Sequence, residues 1–131
     1  MPEIWSVYAN EEACDLMMRA PGAGRVAADE VMVRGPIAGD LRAAIQTVDP
    51  DALIREATEG WVEVVIEGAD ARDVFASVSE LRLPEGPGYV QGDVARVGAR
   101  VFVEGDGIRV LIPSSWASHI RRRIDDAGSS T

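Results

Sequence analysis

The clearest pattern of hydrophobic and polar positions lies in WVEVVIEGADARDVF, residues 61–75. Val62, Val64 and Ile66 alternate with a second, mixed set of side chains, which predicts a strand with one apolar face. The apolar spacing then changes to steps of three and four residues, which predicts an amphipathic helix over residues 69–80. The middle of the chain is therefore predicted to be a strand followed directly by a helix.

The chain after this helix continues with alternating segments. Proline and glycine mark a loop at residues 83–88, and the longest alternating run, residues 94–104, predicts one strand. EGDG at residues 104–107 is typical of a tight hairpin turn, so a second strand is expected at residues 108–113. Apolar residues at helical spacing then predict a final helix, opened by a serine at residue 114 and closed by a glycine at residue 128.

The first half of the chain has a weaker pattern. It predicts strands at residues 3–9 and 29–36, helices at residues 11–20 and 37–48, and a turn-rich break at residues 21–25. The segment 52–58 precedes the strand at residues 61–68, and the pattern leaves open whether the two form a hairpin or are loosely linked strands.

These elements predict an α+β fold: an antiparallel sheet that carries helices on one face. The order in the second half is strand, helix, strand, strand, helix. A chain of 131 residues has the size of one domain, so we expect a single domain over residues 1–128 and a disordered tail at residues 129–131.

Charge and cysteine content narrow the partners and the compartment. The formal net charge of −9 argues against a nucleic-acid partner, because binding to phosphates depends on cationic surface. Cys14 is the single cysteine, so no internal disulfide is expected and a reducing compartment fits. No apolar run approaches the ~20 residues that span a bilayer, and no signal-peptide pattern is present. The sequence thus predicts a cytoplasmic protein without a membrane partner.

The charged cluster after the central strand has two interpretations. Glu67, Asp70 and Asp73 surround Arg72, and such a group could contain a general acid and base. Acidic residues in the first turn of a helix are also stabilised by the helix dipole, by ~0.3–1 kcal/mol. The helix start explains every residue of the cluster, so the acid–base pair is the lesser alternative.

The single histidine, His119, does not define a catalytic or metal site. Zinc requires three or four ligands, and no other imidazole or thiol lies near it in the sequence. A triad with Ser114 or Ser115 would need a nucleophile elbow, which neither serine has. We therefore predict no catalytic residue and no metal site.

A row of polar side chains precedes the longest alternating run. In YVQGD, Tyr89, Gln91 and Asp93 share one face of the chain. Such a row could hold a heterocycle by hydrogen bonds, or it could be the solvent side of an edge strand. Both interpretations stay open.

Residues 59–124 resemble the gamma subunit of heterotetrameric sarcosine oxidase. They are more distantly similar to the folate-binding domain of aminomethyltransferase, the glycine-cleavage T protein, and to its YgfZ relatives. The resemblance rests on TEGWVEVVIEGADARDVFA, LRLPEGPGYVQGDVARVGARVFVE and DGIRVLIPSSWASHIRRRI. The first fifty residues would be a divergent or shortened version of the family's N-terminal part.

The resemblance implies a non-catalytic, gamma-like subunit of a flavin- and folate-linked N-methyl amine oxidoreductase. Aminomethyltransferases use aspartates near the folate, and the matching positions here are about Gly98 and Ala99. The chain would therefore lack the acids of the transfer reaction and bind no cofactor alone. Its partner would be a large subunit that carries the flavin and folate.

Two alternatives remain. The first is a small protein that binds tetrahydrofolate itself, or a one-carbon transfer enzyme, with Tyr89, Gln91 and Arg100 as the contacts. The second is a structural protein that forms a homodimer or a larger homo-oligomer.

Overall fold

The computed structural model describes residues 1–105 and 107–129. The chain divides into two compact units, residues 1–58 and residues 59–131. Each unit contains a four-stranded antiparallel sheet and two helices. The predicted single domain over residues 1–128 stays a prediction.

The first unit is built from four strands and two helices. They are β1 (Ile4–Tyr8), α1 (Glu11–Met17), β2 (Ala23–Ala27), β3 (Glu30–Arg34), α2 (Gly39–Val48) and β4 (Leu53–Glu56), with the strand order β2-β3-β1-β4. Asn10 begins α1, because its side chain accepts a hydrogen bond from the backbone N–H of Ala13 at 2.8 Å. The core forms between one face of the sheet and the helices; its buried residues are Val7, Ala9, Ala13, Cys14, Met17, Val31, Val33 and Ile45.

The second unit has the same composition of elements. They are β5 (Trp61–Ile66), α3 (Ala71–Ala76), β6 (Gly88–Val94), β7 (Val97–Glu104), β8 (Gly107–Pro113) and α4 (Ala117–Ser129), with the strand order β5-β8-β7-β6. Short 3₁₀ turns at Thr58–Gly60 and Ser114–Trp116 precede β5 and α4.

Helices α3 and α4 pack on one face of the second sheet, which we call the helix-covered face. Val64, Val101 and Val110 lie side by side on this face, because Val64 pairs with Val110 and Val110 pairs with Val101 across the strands. Phe75 of α3 and Ile120 of α4 belong to the same buried cluster. Burial of these side chains contributes about 1.5–3 kcal/mol each, so this face is the main source of stability of the unit.

The predicted α+β fold with antiparallel strands and helices on one face is confirmed. Its strands are divided between two sheets, because β4 pairs with β1 while β5 pairs with β8. The segment 52–58 is therefore not a hairpin arm of the strand at residues 61–68. Val62, Val64 and Ile66 form the inward side of β5, as their alternation predicted.

Two predicted boundaries were wrong. The glycine-rich break at residues 21–25 contains the start of β2, which pairs with β3. The run at residues 94–104 is interrupted, because β6 ends at Val94 and β7 begins at Val97. The disordered tail at residues 129–131 stays a prediction: α4 includes Ser129, and residues 130 and 131 lie outside the described residues, as does Asp106 of the predicted EGDG turn.

A two-residue turn joins β6 to β7. Ala95 and Arg96 have φ angles of 49° and 70°, the left-handed conformation that such hairpin turns require. Neither residue is a glycine, and β-carbon crowding makes this conformation uncommon. The backbone N–H of Ala95 donates to the carbonyl of Val78 at 2.7 Å, which holds the turn against the end of α3.

Within residues 1–105 and 107–129, no helix is long and apolar enough to cross a membrane.

Candidate functional site

The second sheet has another face, which carries no helix and which we call the polar-aromatic face. It is formed by the side chains that alternate with the core: Trp61, Glu63, Tyr89, Gln91, Arg100, Phe102, Arg109 and Leu111. Phe102 and Leu111 are buried, whereas Gln91 is exposed and Tyr89 and Arg100 are half-buried. This face combines aromatic rings with charged groups, and its buried members leave only part of it open to a ligand.

The structure brings the three predicted contact residues together on this face. The hydroxyl of Tyr89 donates to the amide oxygen of Gln91 at 2.6 Å. Gln91 lies directly opposite Arg100 in the pairing of β6 with β7. The Tyr89 ring packs against Phe102, with the ring centroids 4.9 Å apart.

Arg100 has an incompletely satisfied guanidinium. Its central carbon lies 5.5 Å from the centroid of the Trp61 ring, within the range of a cation–π interaction. Its Nε is buried and has no hydrogen-bond partner in the described part of the chain. A buried donor without an acceptor costs about 1–3 kcal/mol, so an acceptor supplied by a ligand would be favourable here.

Arg109, the neighbouring cation, is held by two carboxylates of the same chain. It contacts Glu63 and Glu104, each at 3.2 Å. Burial would lower the pKa of Arg109, but the hydrogen bonds with Glu104 and Glu63 outweigh it and raise the pKa above its usual value. Arg109 is thus a structural cation, and Arg100 is the one suited to a ligand.

The charged cluster after β5 belongs to a helix start. Gly68 has a φ of +106°, which lets the chain turn out of the strand. Asp73 lies in the first turn of α3. Arg72 donates to the carbonyls of Pro84 and Glu85 at 2.7 and 3.3 Å, so it ties the proline- and glycine-rich loop to α3. The arrangement supports the structural interpretation over an acid–base pair.

His119 and Ser114 are engaged separately. A ring N–H of His119 donates from Nε2 to the carbonyl of Ala95 at 3.2 Å, and the Ser114 hydroxyl donates to the carbonyl of Glu59 at 2.8 Å. Burial raises the pKa of the Cys14 thiol, which disfavours a nucleophilic thiolate. Among the described residues, no three side chains of the metal-ligating types converge on one point.

One cleft in this unit was not predicted from the sequence. It lies beside the turn at Ala95 and has a volume of about 740 Å³, and Arg82, Arg96 and Arg123 all line it. A second cavity of about 450 Å³ shares Arg96 and Arg123 and adds Trp116. No local motif signals these clefts, since the arginines come from distant parts of the sequence.

Comparison with known proteins gives a match in structure but not in sequence. No family model matches the chain, and no curated protein matches it. Among solved structures, a chain of heterotetrameric sarcosine oxidase from Corynebacterium sp. U-96, in complex with pyrrole 2-carboxylate, superposes with a TM-score of 0.79 at 14% identity. The match covers 98% of this chain and 80% of the other.

This match defines the class of fold. The protein has the α+β fold of a chain of heterotetrameric sarcosine oxidase, and the resemblance predicted from residues 59–124 is confirmed at the level of the fold. The similarity extends beyond the predicted range, because it covers the first fifty residues as well.

Proposed function

We propose that this protein is a non-catalytic, gamma-like subunit of a heteromeric flavin- and folate-linked N-methyl amine oxidoreductase. The observation that carries the proposal is the match along 98% of the chain to a chain of a heterotetrameric sarcosine oxidase. Both units of the chain have a counterpart in a protein that works as an assembly. The partner is a large subunit that holds the flavin and folate, and the complex is cytoplasmic.

A supporting role fits the chemistry of the side chains. His119 and Ser114 are bound to backbone carbonyls, and the pKa of Cys14 is raised. The proposal therefore assigns oxidation of the N-methyl amine to the partner and assigns assembly to this chain.

Co-expression with a large sarcosine oxidase-type flavoprotein subunit from the same genome tests the proposal. We expect the two to elute together with a defined mass ratio in size-exclusion chromatography with light scattering. The isolated chain should not oxidise sarcosine, whereas the complex should. Separate elution, or turnover by the chain alone, would contradict the proposal; a stable mass of two copies without any heteromer would support the homo-oligomeric alternative.

The second candidate function is binding of tetrahydrofolate by this chain itself. The observation that favours it is Arg100, whose buried Nε lacks an acceptor within the described ranges and whose guanidinium lies over Trp61. Tyr89 and Gln91 lie on the same face and could contact the polar edge of the pterin ring. A carboxylate of the ligand would satisfy Arg100 by a charge-assisted hydrogen bond.

Calorimetric titration of the isolated chain with a reduced folate separates this candidate from the first. Saturable heat that is lost in Arg100→Gln, but kept in Arg55→Gln on the exposed strand β4, would support folate binding. The absence of heat with the wild-type chain would exclude it.

A further inference from the structure

We propose that the cleft lined by Arg82, Arg96 and Arg123, here named the arginine cleft, is the docking site for an acidic segment of the large partner subunit. The inference rests on the proposed function for the identity of the partner. Beyond that function, it specifies the surface that binds, the acidic character of the partner segment and the electrostatic basis of recognition.

Three separate elements supply the arginines. Arg82 lies in the connection between α3 and β6, Arg96 in the turn between β6 and β7, and Arg123 on α4. All three are exposed and line a single cleft of about 740 Å³. Their convergence gives a concave surface in which guanidinium groups can approach one ligand from several directions.

These arginines are not neutralised within the described chain. In residues 1–105 and 107–129, none of the three forms an ion pair with a carboxylate, although Glu80 and Asp93 also line the cleft. The chain contains 22 acidic residues and 13 arginines, so carboxylates outnumber arginines in the molecule as a whole. A cationic cleft on an anionic protein selects an acidic partner and orients its approach.

The turn that presents Arg96 is fixed in place. Both Ala95 and Arg96 have left-handed φ angles, which cost free energy in residues that carry a β-carbon. The N–H of Ala95 is bound by Val78, and its carbonyl accepts from His119. The contacts on both sides hold the turn before a partner arrives, so little ordering entropy remains to be lost on docking.

An apolar anchor lies beside the cationic groups. Trp116 is 52% exposed and lines the adjoining cavity of about 450 Å³ together with Arg96 and Arg123. Tryptophan and arginine are the residue types that contribute most often to binding hot spots in protein interfaces. A small anion would leave the indole uncovered, whereas an acidic polypeptide segment with an apolar side chain covers both features.

The affinity of the large flavoprotein subunit for charge-reversed variants tests this surface. We expect Arg96→Glu combined with Arg123→Glu to raise the Kd at least tenfold at low salt, and Trp116→Ala to raise it severalfold. The wild-type Kd should rise with ionic strength more steeply than that of the double variant. Arg122→Glu is the matched control, because Arg122 is an exposed arginine of α4 that does not line the cleft.

A second double variant tests whether the loss of binding comes from a change in the turn itself. Arg82→Glu combined with Arg123→Glu leaves Ala95 and Arg96 unchanged and should weaken binding similarly, while circular dichroism and the unfolding midpoint stay like those of the wild type. If both double variants bind as tightly as Arg122→Glu, the docking site is refuted and the proposed function stands. If the wild-type chain does not bind the flavoprotein subunit, the proposed function fails and the docking site falls with it.

Discussion

On the helix-covered face of the second sheet, Val64, Val101 and Val110 pack beneath α3 and α4, whereas on the polar-aromatic face the same strands present Trp61 and Arg100. The first face is uniform in chemistry, so its energy is spread over many similar contacts. The energy of the polar-aromatic face depends on individual pairs of side chains with defined geometry. Alternation along a strand thus separates two sets of residues with different chemistry.

The largest difference between the faces should appear when a charge is introduced. Val110→Asp places a carboxylate in the fully buried core and should reduce the free energy of unfolding by about 4 kcal/mol or more. Val65→Asp on the other face, where the side chain is 38% exposed, should cost about 1 kcal/mol or less. Denaturant unfolding followed by circular dichroism measures both, and equal losses would remove the distinction between the faces.

Within the polar-aromatic face, the ion pairs of Arg109 should differ in energy. Glu63 has a side chain that is 8% exposed, and Glu104 one that is 47% exposed, although both lie 3.2 Å from Arg109. We expect Glu63→Gln to lower the unfolding free energy by about 2 kcal/mol, because Arg109, itself only 26% exposed, would lose the less exposed of its two charged partners. Glu104→Gln is the control and should cost under about 1 kcal/mol in the same denaturation assay, since solvent screens that pair. Equal costs would contradict the assignment of Glu63 as the structural partner.

Two glycines allow the two faces to be compared by the space that each leaves for a β-carbon. Gly92 on the helix-covered side has a φ of +152°, and a β-carbon there would lie 2.6 Å from Cδ2 of Leu81. Gly92→Ala should therefore destabilise the protein by about 1–2 kcal/mol. Gly98 lies on the other face with nothing within 4 Å, so Gly98→Ala should change the unfolding free energy by at most about 0.5 kcal/mol. Thermal unfolding of the two variants compares them directly, and a larger loss in Gly98→Ala would reverse the argument.

The smallest effect is expected at the predicted contact residues. Tyr89→Phe removes the hydrogen bond to Gln91 and should lower stability by about 0.5–1 kcal/mol. Tyr8→Phe is the control, because in residues 1–105 and 107–129 the Tyr8 hydroxyl has no hydrogen-bond partner. A double-mutant cycle with Gln91→Ala should show that the two substitutions are not additive; additive losses would mean that the bond contributes nothing.

The sequence was informative wherever side-chain alternation alone decides the structure. The inward side of β5 and the shared face of Tyr89 and Gln91 were both predictable from period-two spacing. The hairpin between β6 and β7 was not, because Ala95 and Arg96 lack the glycine or asparagine that usually marks such a turn. Tertiary hydrogen bonds hold this turn, since the N–H of Ala95 donates to the carbonyl of Val78 and His119 donates to the carbonyl of Ala95; these bonds cannot be read from local sequence.

Strand β2 illustrates a second reason for a missed element. The composition of PGAGR indicates a turn, yet β2 begins at Ala23, immediately after Gly22. A β-carbon on Gly22 would lie 2.2 Å from the carbonyl oxygen of Arg34, so this glycine permits close approach of the neighbouring strand. Glycine in a loop and glycine at a close contact look alike in sequence.

The candidate site was predictable only in part for a related reason. Tyr89 and Gln91 are near neighbours along one strand, but the position of Arg100 opposite Gln91 depends on the register of two strands. The arginine cleft depends on residues 82, 96 and 123, which no local pattern joins. Local periodicity therefore predicts faces, and tertiary pairing decides which side chains meet.

The two-residue link between β6 and β7 makes this hairpin intolerant of insertions and deletions. Because the length of the link fixes the register of the hairpin, one residue added to it or removed from it would shift β6 relative to β7, and Gln91 would no longer lie opposite Arg100. Homologous proteins that keep this site should therefore vary in the identity of residues 95 and 96, but not in their number.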